Sequence, residues 1–382
     1  MSPTDRAARS TWRPIGAWMA LILGVMLARP LGLRAATVRV PADQPTIQAG
    51  ILAASADDTV LIAPGTYGGD GNVTLRFYDK DLVLRSADGP DATVIDCELA
   101  ACGFYLHNDA GRARIEGLAV ANGAGHGGGY GGAVFCASSS PTFVDCVFRD
   151  GDTLNGGGAY LTTATARFVG CRFVGNRSQY SGAAVYSSGS TIVLENCDFV
   201  DNDALFEGGG LYCVNQSSVT MTRCTLWNNS GAAIHAQGAD LSLSGCTIAG
   251  NQGAWGASGL ALINASSAVL DRTIIAFGEL GRAINCRDGS TADLTCCAIY
   301  GHPDGDWVSC VAEQLDLAGN FSSDPRFCDL EGGDLRVAAD SPCLPGNHPH
   351  GSDCGLVGGR GEGCPAAPVG TTTWGALKAL YR

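Results

Sequence analysis

A unit of about 25 residues recurs through the middle of the chain, each copy carrying a cysteine, one variable residue, an apolar residue and then a turn. The copies read DCVFRDG, GCRFVGN, NCDFVDN, RCTLWNN, GCTIAGN and CCAIYGH. Their cysteines, Cys146, Cys171, Cys197, Cys224, Cys246 and Cys297, are spaced by 25, 26, 27, 22 and 51 residues. The last spacing is a double period, and Thr273 stands where the missing cysteine would fall. A second pattern keeps the same period: GGAVFC, GGGAYL, GAAVYS, GGGLYC and GAAIHA. Periods of this size mean stacked supersecondary units. The unit is too short for a domain and alternates like a strand. It predicts an all-β fold, a right-handed parallel β-helix of about ten coils.

Alternation within the unit assigns the faces, because strand residues two apart share a side. Val134, Ala159, Val185, Leu211 and Ile234 form one apolar set and point inward. The cysteines share a face with the apolar residue two positions on, as Cys171 with Phe173 and Cys197 with Phe199. Another apolar position lies three residues before each cysteine: Phe143, Phe168, Leu194, Met221, Leu243 and Leu270. An offset of three requires a bend between, at Asp145, Gly170, Asn196, Arg223, Gly245 and Arg272. Five residues past the cysteine come Asn176, Asn202, Asn229 and Asn251, with Asn122 at the equivalent place in a degenerate earlier coil. Asn tolerates the left-handed backbone of a sharp turn, and stacked amides can bond along the ladder.

The pairing of GGAV (131–134) with FVGN (173–176) and FVDN (199–202) resembles the repeat of chlamydial polymorphic outer membrane proteins. More broadly, the chain resembles bacterial right-handed β-helix proteins of the pectin-lyase-like superfamily over roughly residues 38–325. VPADQPTIQAGILAASADDTVLIAPGTY (40–67) is similar to the opening coil of many of them, pectin methylesterases included. The resemblance implies a fold and leaves activity open, since this architecture hosts lyases, hydrolases, esterases, adhesins and inert scaffolds.

Four segments are expected. Residues 1–36 read as a signal peptide, with Arg6, Arg9 and Arg13 ahead of the apolar run IGAWMALILGVML. Residues 37–302 form the solenoid, opened by a short capping helix with Ile47, Ile51 and Leu52 on one side. Residues 303–364 lose the repeat and form an irregular Cys-rich cap at its C-terminal end. Residues 365–382 are a linker and a short amphipathic tail, TTTWGALKALYR, with no strand pattern from which to build a membrane barrel.

Seventeen cysteines suit an exported, secreted, periplasmic or cell-surface chain. The stacked ones from Cys146 to Cys246, with Cys136 and Cys213, read as reduced core residues. The others are expected to pair as Cys97–Cys102, Cys286–Cys296, Cys297–Cys310, Cys328–Cys343 and Cys354–Cys364.

Chemistry is sparse. A net charge of −13 argues against nucleic acid and against anionic surfaces. Gly125-His126-Gly127 resembles the GHG of polygalacturonases, but their paired aspartates and R-I-K are missing, as are the QDTL and DFIFG of pectin methylesterases. Asp145, Asp150, Asp152, Asp198, Asp201 and Asp203 cluster near corners, where solvated turns compete with a calcium site or an acid pair. No other cofactor is implied. The strongest binding signal is an outward row, Phe135, Tyr160, Tyr186, Tyr212 and His235, one ring per coil beside small neighbours. Two classes of function follow: a non-catalytic binder of polysaccharide or another cell-surface component, and a divergent polysaccharide lyase or glycoside hydrolase.

Overall fold

The computed structural model describes residues 35–366, apart from 109–111, 128 and 352. The expected signal peptide and amphipathic tail lie outside the described residues, save for a residue or two at their inner edges. Between Thr37 and Tyr300 the chain winds as a right-handed parallel solenoid, the hand parallel crossovers favour. Its sheets hold 11, 10 and 8 strands, with a minor one of 3, so the coil count slightly exceeds the expected ten. Like residues meet like: Phe143 pairs with Phe168, Leu194 with Met221, Phe173 with Phe199.

The inward set Val134, Ala159, Val185, Leu211 and Ile234 is wholly buried, as are the residues three before each cysteine. Phe143 stacks on Phe168 and Phe173 on Phe199, both at 5.0 Å. The thiols fill the adjoining column, and Cys146, Cys197, Cys224 and Cys246 each donate to a carbonyl of the preceding coil at 3.4–3.6 Å. The bend is where the spacing places it. Asp145, Gly170, Asn196, Arg223, Gly245 and Arg272 all adopt left-handed φ, between 47° and 63°.

The asparagines differ from expectation in detail. The left-handed residue is the one before each, Gly175, Asp201, Asn228 and Gly250 (φ 53–63°), while the asparagine turns its amide into the core. Asn202 shows the pattern: its Nδ2 donates to Phe173 O and to Asn229 Oδ1, and its Oδ1 accepts from the backbone and amide of Asn176. Asn122 is itself left-handed (φ 56°) and outside this ladder, bonding Asp96 instead.

At the N-terminal end, the helix Ile47–Ala53 is capped by Thr46 Oγ1, which accepts from Ala49 N. Ile47, Gly50 and Ile51 face the first coil, but Leu52 is 55% exposed, because one further residue turns it about 100° away. Lys80 Nζ bonds the carbonyls of Ile51, Leu52 and Ala54 at the other end of the helix.

The segment after the solenoid does two jobs. The 3-10 turn Ser309–Gln314 closes the open end, with Val311 buried and the Gln314 amide bridging Leu294 N and Ala292 O. From Asp324 onward the chain folds back along the side of the coils as a clasp. Gly358 N donates to Arg272 O, Gly359 N to Thr247 Oγ1, and Arg360 reaches Thr225 and Asp198.

None of the expected disulfide pairs is present. The bonds are Cys286–Cys310, Cys296–Cys354 and Cys328–Cys364. Cys297 continues the inward thiol column, so it cannot meet Cys310; its neighbour Cys296 sits at a left-handed corner and meets the clasp. Cys328 and Cys364 join because their strands flank Asp334–Ala338. Cys343, Cys97 and Cys102 are buried and free. Burial pushes the Cys97 and Cys297 thiols up to about 12, which leaves them unreactive at neutral pH.

Candidate functional site

The row read from the sequence exists, and it begins one coil earlier than expected. Tyr105, Phe135, Tyr160, Tyr186, Tyr212 and His235 occupy matched positions in the eight-stranded sheet, on the side away from the core. Successive ring centroids lie 5.1, 5.8, 4.8, 5.2 and 5.2 Å apart. The first three contacts are nearly parallel, tilted by 8–10°.

This geometry corrects the picture of open ring faces. Each inner ring has a neighbour on both faces, and Tyr212 and His235 are buried outright. What the column offers to solvent is edges. The hydroxyls of Tyr105, Tyr160 and Tyr186 have no protein partner among the described residues, whereas Tyr212 bonds Gln237 Oε1 at 3.1 Å. Burial raises the pKa of Tyr160 and Tyr186, and for Tyr212 the Glu207 carboxylate adds to it. All three phenols therefore stay protonated donors at neutral pH.

Loops decorate the column. His126, the histidine of Gly125-His126-Gly127, packs 4.1 Å from Tyr105, and the Arg76 guanidinium lies 4.3 Å over the same ring. Tyr130 packs 5.0 Å from Tyr160. Open aromatic faces belong to residues the sequence reading missed. Tyr180 and Phe206 stack at 6.0 Å and are 51% and 56% exposed. Each stands six residues ahead of a column member, Tyr186 and Tyr212, and Trp255 keeps the same offset from Ala261. That fixed offset was the available signal. Between rim and column lie Gly182 and Gly208, at φ 63° and 61°, where a Cβ would come within 2.9 and 3.2 Å of the Cα of Tyr186 and Tyr212. Only glycine brings the rim this close.

His235 ends the column. It packs 5.2 Å from Tyr212 and edge-on to Trp255 at 5.9 Å, wholly buried, with neither ring nitrogen hydrogen-bonded. Burial depresses its pKa to about 4, so the imidazole is neutral.

The corner aspartates are scattered rather than gathered. Asp150 pairs with Arg149, Asp203 with Arg177, and Asp198 with Arg360. Among the described residues, no three His, Cys, Asp or Glu side chains come together as metal ligands.

A family model described as the right-handed beta helix region matches residues 82–240 and 177–322, more than half of the chain. The chain belongs to the right-handed β-helix family. No curated protein matches it. Among solved structures, this β-helix is similar to pectate lyase Pel9A at 15% identity, over 87% of this chain and 98% of that one, with a TM-score of 0.49. It is also similar to the A-module of Azotobacter vinelandii mannuronan C-5 epimerase AlgE6, at 13% identity, 70% and 91% coverage and a TM-score of 0.37. The carrot pectin methylesterase matches at 15% identity, 78% and 90% coverage and a TM-score of 0.36.

Proposed function

We propose that this β-helix is an exported, non-catalytic protein that binds an extended, uncharged polysaccharide along the solenoid axis, over its aromatic face. The observation that carries this reading is the column itself. Its rings recur every 4.8–5.8 Å, close to the advance of one sugar ring along an extended glycan, and Tyr105, Tyr160 and Tyr186 present unspent phenol hydroxyls along it. The hydroxyls of Tyr160 and Tyr186, on adjacent coils, suit successive sugar hydroxyls, and the exposed pair Tyr180 and Phe206 supplies faces for stacking. The acidic chain disfavours a polyanion. Three disulfides accord with export, and the binding mode needs no cofactor.

A glycan array on the protein, run beside a reducing-end release assay, tests this. Binding without release is expected. Replacing Tyr160 and Tyr186 together by Phe, and Tyr180 by Ala, should each weaken it. Full binding by both folded variants would remove the aromatic face from the site. Release of reducing ends would move the reading to a divergent lyase or hydrolase.

A further inference from the structure

Where the clasp meets the solenoid it leaves a cleft of about 300 Å³ on the side of the coils. One wall belongs to the sheet of cysteine strands, with Arg172, Asp198 and Trp227 from three successive coils. The other belongs to the clasp, with Asp334, Arg336 and Arg360. Asp198 is taken by Arg360 Nη2 at 2.5 Å. Asp334 is taken by Arg336, through Nε at 2.8 Å and Nη2 at 2.6 Å. Arg336 holds the Asp334 carboxyl below its usual range, so that pair is charged at neutral pH. Arg172 has no side-chain partner among the described residues, although its strand position is directly beside Asp198. The cleft thus holds three arginines against two aspartates, a locally cationic spot on a chain of net charge −13.

Each guanidinium has five N–H groups in a planar fork. Arg336 commits Nε and Nη2, and Arg360 commits Nε to Thr225 and Nη2 to Asp198. Their Nη1 groups stay available. We propose that this cleft binds one oxyanion, a carboxylate or a phosphate group, through Arg172 and the unspent N–H groups of Arg336 and Arg360. Val200, Trp227 and Leu335 form its apolar lining, which strengthens such charge-assisted bonds. The site is assembled from segments distant in sequence, and the Cys328–Cys364 bond holds its clasp wall by joining the strands on either side of Asp334–Ala338.

The test is titration of the isotopically labelled protein with inorganic phosphate and, separately, acetate, at constant pH and ionic strength, following arginine Nε–Hε resonances. Saturable shifts of the Arg172 and Arg360 signals are expected, and the anion that binds tighter identifies the preferred group. Arg172→Gln should weaken binding about tenfold. Asp198→Asn frees Arg360 and should tighten binding. Because Arg172 is exposed, Arg172→Gln should keep the native spectrum elsewhere. Absence of a saturable shift with either anion, or equal affinity in a folded Arg172→Gln variant, overturns the proposal.

Discussion

The asparagine ladder and the aromatic column are both built from one residue per coil over overlapping coils, yet they use their polar atoms in opposite ways. Asn176, Asn202 and Asn229 are buried, and their amides bond the ladder neighbour and a carbonyl of the preceding coil. The column leaves hydroxyls unspent and ends on an imidazole with two unpaired nitrogens. Buried polar groups in native proteins are almost always bonded. A ladder that obeys this rule serves the fold; one that breaks it at His235 gives up stability for something else.

Four experiments break or sharpen that contrast. Asn202→Ala removes two donated bonds and an acceptor for Asn176, and should destabilise the protein by about 4 kcal/mol in denaturant titration. A loss below about 1 kcal/mol would deny the ladder its structural role.

Acid acts on the other ladder. The His235 pKa of about 4 in the folded chain compares with about 6.5 unfolded, so on acidification the unfolded chain takes up its proton first. His235 contributes no pH dependence above about pH 6.5, and between there and pH 4 it should remove about 3 kcal/mol of stability. The difference between wild type and His235→Phe across that window isolates the effect; parallel profiles would contradict it.

At pH 7 the same His235→Phe change extends the column with a ring that has no polar atoms. It should raise stability by about 1–2 kcal/mol and, because the ring is wholly buried, leave glycan affinity unchanged, read by calorimetry on one preparation. A destabilised variant would mean the imidazole has a partner after all. Smallest of all, Tyr186→Phe should leave stability within about 0.5 kcal/mol yet weaken glycan binding about threefold. The reverse pattern would make the column a stiffener only.

What was legible in the sequence follows the same division. Period and alternation depend on neighbouring coils, so the inward sets, the corner at Asp145 and its successors, and the stacked Asn202 and Asn229 could be read from spacing. Spacing could not say which of two adjacent turn residues goes left-handed, because Gly175 and Asn176 are both suited to it. Nor could it pair the cysteines. Cys296 finds Cys354 at a separation of 58 residues only because the clasp turns back, and nothing periodic marks that turn. The column's membership was readable from Phe135 to His235, while Tyr105 lies in an earlier coil that lacks the glycine-rich signature, and the ring tilts that close its faces belong to packing. Tyr180 and Phe206 sit on a loop of variable surroundings, where only a shared offset from the column marks them.

The clasp also changes how the molecule can come apart. A solenoid is a chain of nearest neighbours, and its outermost coil can peel without consulting the rest. Residues 358–360 touch the coils of Arg272, Thr247, Thr225 and Asp198 in turn, acting as a tie-bar laid across the stack. No coil under it can detach without straining a strap that also grips coils further along. The C-terminal half should therefore melt as one cooperative block, while coils ahead of Asp198 unzip singly, so that a mechanical load is carried by the strapped half after the other has yielded.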